Sequence, residues 1–151
     1  MQGYVYAAKH YAARLAKRLG FEDTALGLSV AADALRRKFE LAFWDEELGT
    51  YVLALDGAKR PCRVRSSNAG HVLFTGNASP ERARRVADGL MSRDGFSGWG
   101  IRTLAQGEVR YNPMSYHNGS VWPHDNAVIA IGFARYGMKA EAARVFEALF
   151  D

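Results

Sequence analysis

The chain has 151 residues, with 20 lysines and arginines against 16 aspartates and glutamates, which gives a formal charge of +4. Its 48% hydrophobic and 24% charged residues are typical of a globular domain, so a disordered or fibrous protein is excluded and a single domain over residues 1–151 is predicted. Because the positive charges are scattered along the chain, no nucleic-acid partner is expected.

The first half of the chain is predicted to form a helical hairpin followed by a small β-hairpin. Apolar residues recur every three or four positions over Tyr4–Leu19, and a second amphipathic stripe covers Leu28–Phe43. The short link between them makes the two helices antiparallel neighbours. Asp56-Gly57 is a turn signal, which predicts a β-hairpin near Thr50–Val64 with Arg63–Arg65 as the return strand.

The second half is predicted to contain helices separated by one long loop. A helix over Ser67–Phe74 begins at a serine cap, and Ser79-Pro80 opens the next helix. The segment Ser92–Ser120 has no periodicity but is rich in glycine and aromatic residues, which is typical of a functional loop. Pro123–Tyr136 forms a helix whose stretch Ala127–Ala134 is apolar all round and should be buried on most sides. With a last amphipathic helix, the fold class is all-α with a small β-hairpin insertion.

Cysteine content and the first residues bear on the cellular compartment. Cys62 is the single cysteine, which excludes an intrachain disulfide framework. The first residues lack the basic start and apolar stretch of a signal peptide, and no apolar run approaches the roughly 20 residues of a membrane span. The sequence therefore predicts a cytoplasmic protein with no membrane partner.

The most informative segment is Tyr111–Ala127, in which aromatic rings alternate with short polar side chains and lead into a helix. Sugars need such a surface, because their C–H faces stack on aromatic rings while their hydroxyls need fixed donors and acceptors. Pro123 at the first helical position places His124 and Asp125 in the first turn, next to the loop. We predict that these side chains converge on one concave surface, with Trp99 in its wall. The predicted substrate-binding residues are Trp99, Tyr111, Tyr116, His117, Asn118, Trp122, His124 and Asp125.

Two of these residues have alternative roles. Asp125 is the single carboxylate between Glu108 and Glu141. It can be a helix N-terminal acid, worth about 0.3–1 kcal/mol, a hydrogen-bonding partner of the substrate, or an acid/base catalyst, although such a catalyst usually has a second carboxylate as partner. Trp99 suits a buried structural plug and a sugar platform equally well. Because Asp125 has no second carboxylate as partner in this segment, the catalytic residues stay unassigned.

Other chemistries have less support in the sequence. The two histidines of Tyr111–Ala127 are too few for a zinc site, so no metal or other cofactor is expected. A catalytic triad of Ser67, His71 and Asp125 lacks a Gly-x-Ser-x-Gly elbow. The cluster Ser66–His71 can line a cleft, but a helix cap followed by a structural histidine is favoured.

The segment Tyr111–Ala127, with Asn118-Gly119-Ser120-Val121-Trp122-Pro123-His124-Asp125-Asn126 at its centre, resembles the bacterial glycogen-debranching amylo-alpha-1,6-glucosidase-like proteins of the six-hairpin glycosidase superfamily. Three further segments are similar to the same family: Gln2–Ala8, Phe43–Tyr51 and Ser97–Thr103. The resemblance implies an (α/α)6 toroid, of which this chain holds only a part, because twelve helices of about 11–12 residues plus loops exceed its length. It also implies hydrolysis of α-linked glucans with inversion, and a subsite role for Trp99, His117, Asn118, Trp122, His124 and Asp125.

The same resemblance implies that both catalytic carboxylates lie outside this chain, one before the part matching Tyr4 and one after the last helix. We therefore expect a central fragment of a catalytic domain that is inactive alone. The alternative function is a non-catalytic carbohydrate-binding or helical interaction module from a truncated gene. An open toroid would leave apolar sides of Ala127–Ala134 and of the first helix uncovered, which predicts self-association.

Overall fold

Helices make up most of the computed structural model, which describes residues 1–150, and the predicted all-α class is confirmed. The helices are α1 (Gln2–Arg18), α2 (Glu22–Phe43), α3 (Asn68–Thr75), α4 (Pro80–Leu90), α5 (Pro123–Arg135) and α6 (Lys139–Phe150). The strands are β1 (Trp44–Asp45), β2 (Thr50–Tyr51), β3 (Ala54–Leu55) and β4 (Pro61–Cys62). None of the helices within residues 1–150 combines the length and the apolar character that crossing a bilayer requires.

Two short antiparallel ladders, β1 with β2 and β3 with β4, replace the single predicted β-hairpin. The return strand is β4, so the prediction of Arg63–Arg65 was wrong. The reason is a turn over residues 56–60 that Asp56 closes, because its Oδ1 accepts hydrogen bonds from the backbone N–H groups two and four residues later, at 2.9 and 2.8 Å; the return strand therefore begins earlier than predicted. Arg63 instead donates from Nε to Asp45 Oδ2 at 2.6 Å, which ties the two ladders together.

The core lies between α3, α4, α5 and α6. Leu73, Ile129, Phe133 and Val145 are fully buried. Close helix packing depends on Gly132 of α5, where an added Cβ would lie 2.7 Å from a backbone nitrogen of α3. The stretch Ala127–Ala134 is buried on this side only: Ile131 is 51% exposed, because no other helix of the described chain covers that side.

The helix α1 packs through Tyr6 and small residues, and its apolar stripe faces solvent. Gly3, Tyr6, Ala13 and Ala16 are buried, whereas Leu15 and Leu19 are 59% and 62% exposed. The first turn of α1 approaches α3, and Tyr11, in the middle of α1, accepts a hydrogen bond from Arg135 at the end of α5. The N-terminal parts of α1, α3 and α5 therefore lie at the same end of the molecule, where the candidate site is found.

Candidate functional site

The long loop between α4 and α5 is ordered by pairing with itself. Isolated antiparallel bridges join Phe96 to Ile101 and Arg102 to Val121. The Thr103 N–H donates to the Ser120 carbonyl at 2.9 Å, which extends the second pairing. The two halves of the loop are thereby brought together just before α5 begins.

Asn126, in the first turn of α5, anchors this loop. Its Oδ1 accepts from the Ile101 N–H at 2.6 Å, and its Nδ2 donates to the carbonyls of Ile101 and Trp122 at 3.0 Å each. Gly100 fits beside it with φ +143°, and an added Cβ there would lie 3.0 Å from Asn126 Oδ1. Sequence reasoning missed Asn126; the available signal was an amide at the start of a mainly apolar helix.

Trp122 is the centre of an aromatic cluster at the start of α5, which we call the Trp122 cluster: Tyr116, His117, Trp122 and His124. The Trp122 ring centroid lies 4.9 Å from that of Tyr116 and 5.3 Å from those of His117 and His124. Trp122 Nε1 donates to the Tyr116 carbonyl at 2.9 Å, which holds the loop against the ring. Tyr116 itself is 68% exposed, so the cluster presents an accessible ring with polar groups around it.

Tyr111 and Asn118 shape the loop that carries the Trp122 cluster. The Tyr111 hydroxyl accepts from Arg102 Nε at 3.2 Å, and its ring is partly buried. The Asn118 carbonyl accepts from the Asn112 N–H at 2.7 Å and closes the loop. Both residues are in place near the cluster, but these contacts are internal to the protein, and their direct role in sugar binding stays a prediction.

Trp99 lies at the tip of the turn Ser97–Gly100, where the Ser97 N–H donates to the Gly100 carbonyl at 2.9 Å. The ring is 66% exposed, so the described chain does not use it as a buried plug. No ring contact joins Trp99 to the Trp122 cluster within residues 1–150. Its place in the same sugar-binding surface stays a prediction.

A chain of hydrogen bonds through Tyr4, His71 and Asp125 links α1, α3 and α5. The Tyr4 hydroxyl lies 2.6 Å from His71 Nδ1, and His71 Nε2 is hydrogen-bonded to Asp125 Oδ1. The Asp125 side chain is 7% exposed, and that of His71 is 27% exposed. Tyr4 was missed by sequence reasoning, and His71 was assigned a structural role. The polar cluster Ser66–His71 was the available signal.

The electrostatics favour an ionised Asp125. Burial raises the pKa of the Asp125 carboxyl, but hydrogen bonding from His71, with a contribution from Ser67, outweighs burial and holds the pKa below its usual value. No Ser67 hydrogen bond of normal geometry reaches Oδ2, which is buried without a partner in the described residues. A general acid needs a raised pKa, so this carboxylate is better suited to hold His71 in place.

The geometry also differs from a Ser-His-Asp triad. In a triad, the histidine lies between the serine and the aspartate and takes the serine proton. Here His71 lies between Asp125 and Tyr4, and no hydrogen bond joins it to Ser67. These residues therefore supply polar groups for binding rather than an activated nucleophile.

An open cavity of about 830 Å³ lies in front of Tyr4 and His71. Its walls come from the start of α1, the end of α2, the β2–β3 segment and the start of α3. Polar and charged side chains in the wall are Gln2, Tyr4, Lys38, Lys59, Asn68 and His71. Aromatic rings in the wall are Phe39, Phe43 and Tyr51. The volume is in the range of small-ligand sites, and its lining mixes apolar and hydrogen-bonding groups as such sites do.

Known proteins resemble this chain over nearly its full length. The family model described as "Mannosylglycerate hydrolase MGH1-like glycoside hydrolase domain" matches residues 1–151. A mannosylglycerate hydrolase of Thermus thermophilus is 30% identical over 104 residues, which are 69% of this chain and 25% of that protein. The chain thus spans about a quarter of the length of that relative.

Solved structures agree in fold. A GH63 mannosylglycerate hydrolase from Thermus thermophilus, in complex with glucose, superposes with a TM-score of 0.72 at 26% identity, over 97% of this chain and 36% of that one. A sialidase superposes with a TM-score of 0.86 at 15% identity, over 97% of this chain and 15% of that one. The structures confirm the predicted partial helical toroid, and the family model and the mannosylglycerate hydrolase confirm the six-hairpin glycosidase superfamily.

Proposed function

The chain belongs to the MGH1-like glycoside hydrolase domain family, and on that premise we propose that it builds part of the sugar-binding cleft of a glycoside hydrolase. The observation that carries the proposal is the Trp122 cluster, which presents an exposed ring among polar groups beside the Tyr4–His71–Asp125 chain. Stacking on rings and hydrogen bonding from short polar side chains are what sugar recognition requires.

The proposed substrate is an α-linked glucan or oligosaccharide, hydrolysed with inversion. Tyr116 and Trp99 are exposed on two paired parts of the same loop, so they offer stacking surfaces to more than one sugar unit. Inversion needs two carboxyl groups roughly 6.5–9.5 Å apart. Asp125 is buried and ionised, so we place both catalytic carboxylates outside this chain, as the family resemblance implies. Mannosylglycerate, the substrate named for the relatives, is the competing possibility.

Binding to the isolated chain tests this proposal. We expect maltooligosaccharides to bind, and Trp122→Ala to weaken binding by a few kcal/mol, on the order of a lost aromatic contact. Tyr11→Ala is a matched control, because it removes a half-exposed ring in the middle of α1, outside the Trp122 cluster. Isothermal titration calorimetry measures both. Equal affinity in the wild type and Trp122→Ala would remove this surface from consideration, and preference for mannosylglycerate would replace the glucan as substrate.

A second candidate function is a helical interaction module, favoured by the solvent-facing stripe of α1. Leu15 and Leu19 are more than half exposed there, and we expect two copies of the chain to associate through them. In light scattering, Leu15→Glu should lower the association, whereas Lys17→Glu, also on α1, should lower it less. A monodisperse wild-type monomer that binds no hydrophobic dye would contradict self-association.

The cytoplasmic location, expected from the single free Cys62, stays a prediction.

A further inference from the structure

The hydrogen-bond chain Tyr4–His71–Asp125 has a direction that follows from the chemistry of its ends. An ionised carboxylate can only accept hydrogen bonds, so His71 Nε2 carries the hydrogen and donates to Asp125 Oδ1. The other ring nitrogen, Nδ1, is then an acceptor in the neutral imidazole. Tyr4 must therefore donate its O–H to Nδ1, across the 2.6 Å that separates the two atoms.

This direction decides what Tyr4 offers to the cavity. Burial and the nearby Asp125 charge raise the pKa of Tyr4, so the phenol keeps its hydrogen. Since that hydrogen is directed to His71, the lone pairs of the Tyr4 oxygen remain available on the cavity side. Tyr4 is 42% exposed and lies in the cavity wall together with Asn68.

We propose that Tyr4 is a hydrogen-bond acceptor for a hydroxyl of the sugar, and that Asp125 sets its polarity through His71 as a positioning residue. This inference rests on the proposed function and assigns to it residues that lie outside the Trp122 cluster. Asp125 does not touch the sugar in this arrangement, because its side chain is almost fully buried.

Nuclear magnetic resonance of the histidine side chains tests the direction of the chain. In the wild type at neutral pH, two-bond ¹H–¹⁵N correlations should show His71 with its hydrogen on Nε2. Tyr4→Phe should leave this tautomer in place, whereas Asp125→Asn should raise the population with hydrogen on Nδ1, because the amide can donate as well as accept. A wild-type His71 with hydrogen on Nδ1 would overturn the proposal, whatever the sugar data show.

Sugar titrations of the same proteins test the role of Tyr4. Tyr4→Phe should weaken maltooligosaccharide binding about 3- to 10-fold, the effect of one lost hydrogen bond between neutral groups. Tyr11→Phe, which removes a hydroxyl further along α1, is the control and should bind as the wild type does. If Trp122→Ala weakens binding and Tyr4→Phe does not, the proposed function stands and this inference fails. If neither variant changes the affinity, both fail.

Discussion

The core around α5 and the outer face of α1 differ in how much of their apolar surface they bury. In the core, the large residues Ile129 and Phe133 are fully buried, and α3 approaches α5 closely at Gly132. On α1, Tyr6, Ala13 and Ala16 are buried, whereas Leu15 and, directly after the helix, Leu19 remain in solvent. The large core side chains are thus covered by the helices around them, whereas residues 1–150 leave Leu15 and Leu19 more than half exposed.

The largest expected effect separates the two regions directly. Ile129→Ala removes a fully buried side chain and should lower the free energy of unfolding by about 2–5 kcal/mol, through lost burial and a cavity. Leu15→Ala removes a similar side chain from the exposed stripe and should change it by only about 0.5 kcal/mol. Urea denaturation measures both values. Similar costs for the two variants would mean that the stripe of α1 is buried in solution.

A smaller effect is expected at the anchor of the long loop. Asn126→Ala leaves the buried N–H and carbonyl of Ile101 without their partner, which should cost about 1–3 kcal/mol. Asn112→Ala is the matched control, because its Oδ1 accepts one hydrogen bond, from Met114, in an exposed turn. Its cost should stay near about 0.5 kcal/mol, as for other surface changes. Equal unfolding midpoints for the two variants would show that Asn126 does not hold the loop.

The helices could be predicted because their signals are local. Prolines at the first helical positions mark the starts of α4 and α5, and Gly20 and Gly137 follow the ends of α1 and α5. The return strand could not be placed, because the hydrogen bonds of the Asp56 side chain close the turn and start the strand earlier than the residue pattern predicts. Periodicity also did not reveal the buried face of α1, because the helix packs through Tyr6 and small residues while its more regular apolar stripe lies in solvent.

The candidate site also has one part that could be predicted from the sequence and one part that could not. The Trp122 cluster lies within nine residues of sequence, so its alternation of rings and polar groups was visible without a structure. The Tyr4–His71 and His71–Asp125 pairs are 67 and 54 residues apart. Periodicity describes which face of a helix is apolar, but it does not say which helix ends meet. The polar residues that join three helices could therefore be found only from the fold.

The smallest expected effect concerns the acid side of the stability curve. Because the pKa of Asp125 is held below its usual value in the folded state, its ionised form stabilises the fold above about pH 4, and that contribution is lost as the pH falls through the lowered pKa. Asp125→Asn should therefore lose less stability than the wild type between neutral and strongly acidic pH, as measured by thermal unfolding. His71→Gln removes the hydrogen bond that lowers the pKa, so burial prevails, and acid should cost this variant less stability than it costs the wild type. If all three proteins show the same acid dependence, the Asp125 carboxylate is not held by a hydrogen bond from His71 in solution.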